Sequence, residues 1–306
     1  MDGFREELAL SKRDLLNEPL RRFFALFQDE LSVDDHMEFF ANHTESGGET
    51  FLRMETYTTE KLSRVIMEEY AVRSDLRGNV IVATPKPTNN VPFFFFQLGG
   101  KEDRSIAVLD ISPTQADIDY TPLIPVYEQY SKTLGLGPTK VDWMKKTCSP
   151  YLLSCQYEEL DDELFIEAMC EYFKVWVEHF YRPGKVLHDE SDIERAANAI
   201  YKFKYVLHHH DPAYKIFAKS WGKTVADAFV YLECADEPAY RPPEGEEARV
   251  KIWNNPDLNV QWTAGAQLVI LAAPEAEQAT LREAVERQVA AAGFGIITPA
   301  LLERYR

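Results

Sequence analysis

Between residues 50 and 110, five extended segments follow one another so closely that only one kind of sheet can accommodate them. The segments are 50–58, 62–72, 79–83, 92–98 and 105–110, and the later connections are 73–78, 85–90 and 99–104. A parallel pair needs a crossover of about a dozen residues or more, usually a helix. These connections are far too short, so an antiparallel meander is predicted.

Helical patterns flank this block. Residues 9–31 open with Ser11 as a cap and place Leu15, Leu16, Leu20, Phe23, Phe24 and Phe27 at helical spacing. After Ser112-Pro113 the pattern turns helical again, and Leu160, Leu164, Ala168, Tyr172, Trp176 and Phe180 mark one face of a long helix. Two more helices are predicted at 192–207 and 212–234. Strands first and helices later define an α+β protein, a three-layer α/β/α sandwich around a central antiparallel sheet. Segment 237–247 (EPAYRPPEGEE) has linker composition, followed by a strand at 267–273 and an Ala-rich helix at 275–292 closed by Gly293. The expected division is a sandwich domain over 1–240 and a small C-terminal α/β appendage over 241–306.

Charge narrows the function. The 306 residues carry 33 Lys+Arg against 50 Asp+Glu, a net charge of −17. Binding a phosphate backbone draws on clustered cations, so a general nucleic-acid binder is excluded. No apolar run reaches the ~18 residues of a membrane span, and the first 30 residues lack the apolar stretch of a signal peptide. Cys148, Cys155, Cys170 and Cys234 form no CxxC and no Cys/His set at metal spacing. The expectation is a cytoplasmic protein with no bound metal.

Common catalytic signatures such as GxGxxG, GxxxxGK[ST], GxSxG and HExxH are missing. Candidates stand out by context instead. Glu68 and Glu69 occupy one strand, where alternation sends one of them to each face, so one is simply solvated. Gln97 closes the apolar run Phe93–Phe96 and serves either a ligand or a neighbouring strand. Asp211 before Pro212 reads as an N-cap with Pro at N1, which capping alone explains. His208, His209 and His210 point in different directions and cannot all meet one ion, although a single member can donate a proton near neutral pH. The four phenylalanines read as a strand buried on both faces or as the wall of a planar aromatic ligand.

Five stretches in order give these candidates a context: 64–71 (RVIMEEYA), 91–100 (VPFFFFQLGG), 106–115 (IAVLDISPTQ), 148–155 (CSPYLLSC) and 211–229 (DPAYKIFAKSWGKTVADAF). Over residues 50–235 the chain resembles the ferredoxin-dependent bilin reductases and the related red chlorophyll catabolite reductase. The resemblance implies an open tetrapyrrole held between the sheet and the C-terminal helices. Electrons would arrive singly from reduced ferredoxin without a bound flavin or metal, and protein carboxylates would supply protons. Such carboxylates must hold a proton near neutral pH, which burial against an apolar ligand promotes.

Carried over by position, the resemblance makes Glu68, Gln97 and Asp211 the catalytic set. Glu68 takes the place of a proton-managing strand glutamate, and Asp211 that of an acid on the helical side. Gln97 stands where the family has its sheet carboxylate, and Val80 where phycocyanobilin-forming members have a histidine. An amide hydrogen-bonds a pyrrole or lactam but donates no acidic proton at neutral pH. Expected substrate contacts are Val80, Phe94, Phe96, His208, His209 and His210. Ferredoxins are typically acidic, so docking on a chain at −17 requires a local basic face. Lys202, Lys204, Lys215, Lys219 and Lys223 are the candidates, with Arg182 and Lys185 nearby, or else they are the ordinary solvated sides of two helices. The leading expectation is a ferredoxin-dependent reductase of a biliverdin-like substrate. The alternatives are a non-reducing tetrapyrrole carrier and a fold recruited to another small molecule.

Overall fold

A computed structural model describes residues 14–45, 48–72, 76–101, 104–210 and 216. Helix α1 (Asp14–Phe27) leads into strands β1 (Ser32–Glu45), β2 (Gly48–Thr58), β3 (Leu62–Val72), β4 (Leu76–Pro85), β5 (Phe94–Lys101) and β6 (Arg104–Asp110). Helices α2 (Ile124–Thr133) and α3 (Asp142–Thr147), strand β7 (Leu153–Glu158), helix α4 (Asp162–Val175) and helix α5 (Glu190–His210) complete the order. The seven strands form one antiparallel sheet in the order β1-β2-β3-β4-β5-β6-β7.

The meander is therefore longer than the five predicted strands. β1 reads SVDDHMEFFANHTE, whose polar residues break any simple alternation, and β7 has only 6 residues, so neither carries a strong strand pattern. The predicted long helix is interrupted as well. α4 is capped by Asp161, whose carboxylate accepts from the Leu164 N–H at 3.0 Å, and gives way after Val175 to a π turn over Trp176–Tyr181. The Arg182 N–H reaches back to the Val177 carbonyl at 2.9 Å. This wider turn brings Trp176, Val177, Phe180 and Tyr181 all into buried positions, more than an α-helical stripe would place inward.

Strand alternation divides the sheet into two faces. Val65, Met67, Ile81, Ala83, Phe94, Phe96, Leu98, Ala107 and Leu109 point to one side, where Leu20, Phe23 and Phe27 of α1 and Phe165, Met169 and Phe173 of α4 close the main core over them. Phe94 packs edge-on against Phe173 at 5.2 Å between ring centroids, and Phe96 stacks on Phe165 at 5.9 Å. Trp176 crosses this layer and donates its indole N–H to the Pro92 carbonyl at 2.9 Å. The opposite face carries Ile66, Glu68, Tyr70, Val80, Val82, Phe95, Gln97, Val108 and Asp110, all buried although outside that core. α5 contributes to its cover through Phe203, which stacks on Phe93 at 4.5 Å and meets Phe95 edge-on at 5.6 Å. Helices on both sides of an antiparallel sheet make the α/β/α sandwich.

Candidate functional site

Hairpin register builds a row across the second face. Glu68 pairs with Val80, Val80 with Gln97, Gln97 with Val108, and Val108 with Ser154. Directly opposed residues keep their Cβ atoms about 5 Å apart, so Glu68 and Gln97 flank Val80 at a separation of about 10 Å. Two parallel rows border this one. Toward one end lie Ile66, Val82, Phe95 and Asp110, and toward the other lie Tyr70, Gly78, Gly99 and Ile106. The row offers one carboxylate, one amide and, at its β7 end, the Ser154 hydroxyl, separated by Val80 and Val108. Its neighbour Glu69 turns to the other face and is only half-buried, the division that alternation predicts for this pair.

Alternation also sets two of the expected ligand contacts on the face opposite Gln97. Phe94 and Phe96 are core residues on the α1/α4 side, whereas Phe95 shares the face of Gln97. The physical reason is the period of 2: a residue next to Gln97 in sequence cannot share its face. His208, His209 and His210 form the last turn of α5, with side chains outside the described residues. Asp211, Lys215, Lys219 and Lys223, the predicted helix over 212–234 apart from residue 216, and the segment 241–306 also lie outside them, as does the side chain of Lys204. Lys202 is exposed and donates to the Lys146 carbonyl at 3.3 Å. Arg182 is exposed and sits 4.0 Å from Glu30.

Asp110, passed over in the sequence as the end of a strand, is the most enclosed carboxyl on this face. It is fully buried and accepts from the Ser149 N–H at 3.0 Å, from Ser149 Oγ at 2.5 Å and from Ser112 Oγ. Burial pushes its pKa up, against the hydrogen bonds to Ser112 and Ser149 that favour the charged form. The contacts tie the end of β6 to the loop that starts β7. Nearby, burial first and Asp110 second push the pKa of the Cys148 thiol well up. The DISP sequence at 110–113 is the local signal, since a short acid followed by Ser ties down a strand end.

Among the described residues no group of three His, Cys, Asp or Glu side chains could hold a metal, and no helix is long and apolar enough to cross a membrane. The face supplies two buried carboxyls, Glu68 and Asp110, one neutral hydrogen-bonding amide and broad apolar area. Such a floor suits a flat, conjugated molecule with a few polar edges.

Comparison with known proteins places this architecture. The profile of the family described as ferredoxin-dependent bilin reductase matches residues 19–232. Among solved structures, phytochromobilin synthase from tomato, in a crystal structure of the selenomethionine protein in complex with biliverdin, is similar with a TM-score of 0.58. The two share 18% identity, over 74% of this chain and 84% of that one. The chain belongs to the ferredoxin-dependent bilin reductase family. Curated proteins searched by sequence give no match.

Proposed function

We propose that the protein reduces a linear tetrapyrrole of the biliverdin type, taking electrons one at a time from reduced ferredoxin while its side chains manage the protons. The observation that carries this reading is the buried row Glu68, Val80, Gln97 on the sheet face away from the main core. The family match and the biliverdin in the tomato structure support the ligand class. Reducing one double bond consumes two electrons and two protons. Glu68 is the acid on the sheet side, and Asp211 is assigned the helical side. Gln97 orients the ligand by hydrogen bonds without titrating. Lys202 and Lys204, with Lys215, Lys219 and Lys223, supply the basic face for an acidic electron donor.

The test is anaerobic incubation with biliverdin, ferredoxin and a system that keeps ferredoxin reduced. The bilin absorption band is expected to bleach or shift with turnover. Binding without any spectral conversion would instead favour a carrier, a reading to which the amide at Gln97 lends weight. In that case Gln97→Asp discriminates: gained reductase activity identifies the missing carboxylate, and continued inactivity removes the reductase reading for this substrate.

A further inference from the structure

Tyr70 lies one row from Gln97, and two glycines shape its position. Tyr70 pairs with Gly78 and Gly78 with Gly99, all on the same face. A Cβ built on Gly78 would stand 2.5 Å from the Tyr70 hydroxyl oxygen, and one on Gly99 would stand 2.8 Å from it. Both distances are impossible for a real side chain, so the phenol lies flat across β4 with its hydroxyl between β4 and β5. Glycine in a strand interior costs stability and marks close approach, here of the ring and, at Gly99, also of the Arg77 carbonyl at 2.7 Å. Residues two apart on a strand share a face at a spacing of about 7 Å. The hydroxyl therefore lies over Gly99, one same-face step of about 7 Å along β5 from Gln97 and within reach of a ligand that spans both.

Residual exposure singles out the same place. On this buried face Tyr70 keeps 7% of its surface accessible, Val80 7% and Gln97 9%, while Ile66, Glu68, Phe95, Val108 and Asp110 keep 1% or less. Ile106 and Ser154, at the β6/β7 end of the same rows, are more open still, so the accessible strip of this face runs from Tyr70 and Val80 through Gln97 toward β7. A primary amide presents a carbonyl acceptor and an N–H donor side by side, the complement of a cyclic lactam's N–H and C=O. A phenol one step along from it adds a second donor for the lactam oxygen. Both partners are neutral, which suits a neutral ring and not a carboxylate.

We infer that Tyr70 and Gln97 form a neutral pair that binds a lactam ring at the end of the tetrapyrrole, with the Tyr70 hydroxyl donating to the lactam oxygen. The inference rests on the tetrapyrrole reading above and assigns the polar edge that the site recognises.

Absorbance titration of the full chain with biliverdin and with its dimethyl ester, which keeps both lactams but lacks free propionates, tests it. Tyr70→Phe keeps the ring over the glycines and should weaken binding about five- to tenfold for both ligands, with a shifted bound-state band. Gln97→Leu should also weaken binding, and the double variant should lose less than the product of the two single losses. A loss confined to free biliverdin would overturn the lactam assignment in favour of a propionate. Unchanged affinity and spectrum in Tyr70→Phe, with wild-type binding intact, would overturn the role of Tyr70 and leave the tetrapyrrole reading standing. Failure of the wild type to bind either ligand would overturn both.

Discussion

The two faces of the sheet use the same strands for opposite ends. On the α1/α4 side, β3 to β6 present Val65, Met67, Ile81, Phe94, Phe96 and Leu109, apolar side chains locked against aromatic rings from two helices. One residue along each strand, the other side presents Glu68, Val80, Gln97 and Asp110. Burial alone does not tell them apart, since side chains on both faces are nearly inaccessible. Chemistry does. One face is almost wholly apolar, with buried Asn79 as its polar exception, while the other accepts several buried polar groups whose desolvation detracts from stability. That contrast is what the proposed function builds on.

Substitutions that separate stability from activity can break this comparison. The largest effect belongs to Phe94→Ala, which empties a site packed on Phe23, Phe173 and Trp176. A loss of about 4 kcal/mol in urea unfolding is expected, with the bilin spectrum of the remaining folded protein unchanged. An altered spectrum at full stability would place ligand on the wrong face. Glu68→Gln should do the reverse, lowering turnover about 100-fold or more while moving the unfolding midpoint little. Equal turnover in this variant would take the proton-donating role from Glu68.

The third effect is smaller and depends on pH. Because burial holds the pKa of Asp110 above its ordinary value, the folded chain keeps that proton to higher pH than the unfolded chain. Its stabilising contribution is complete below the ordinary carboxylate range and is lost as pH rises through the raised value. Asp110→Asn should cost about 2 kcal/mol at low pH by upsetting the acceptor set for Ser149 and Ser112. The difference from wild type should shrink as pH rises. Unfolding curves in which it widens would show that the hydrogen bonds outweigh burial.

The meander and the inward sides of α1 and α4 were legible because their signals are local: short connections, apolar spacing and alternation. Alternation also separated Glu68 from Glu69, and the same rule applied to Phe93–Phe96 would have set Phe94 and Phe96 apart from Gln97. What the sequence withheld was relational. That Glu68, Val80 and Gln97 share a row depends on two hairpin registers, which no single strand encodes. Tyr70 escaped notice because its meaning lies in Gly78 and Gly99, residues 8 and 29 positions further along the chain. The π turn at Trp176–Tyr181 follows from packing and leaves the helical periodicity of its residues nearly intact.

The strand order has a consequence for how the chain is made. The first six strands are each joined to the next by a short connection, the longest of them residues 86–93, so hairpins can add one after another at low loop-closure cost. Emerging from the ribosome amino terminus first, the sheet has all its strands once Glu158 is out, and α4 follows at once to seal the apolar side. α5 comes only after residue 189, so during synthesis the face bearing Glu68 and Gln97 stays uncovered longest. A nascent chain of this kind finishes its sheet and main core first and covers the opposite face last.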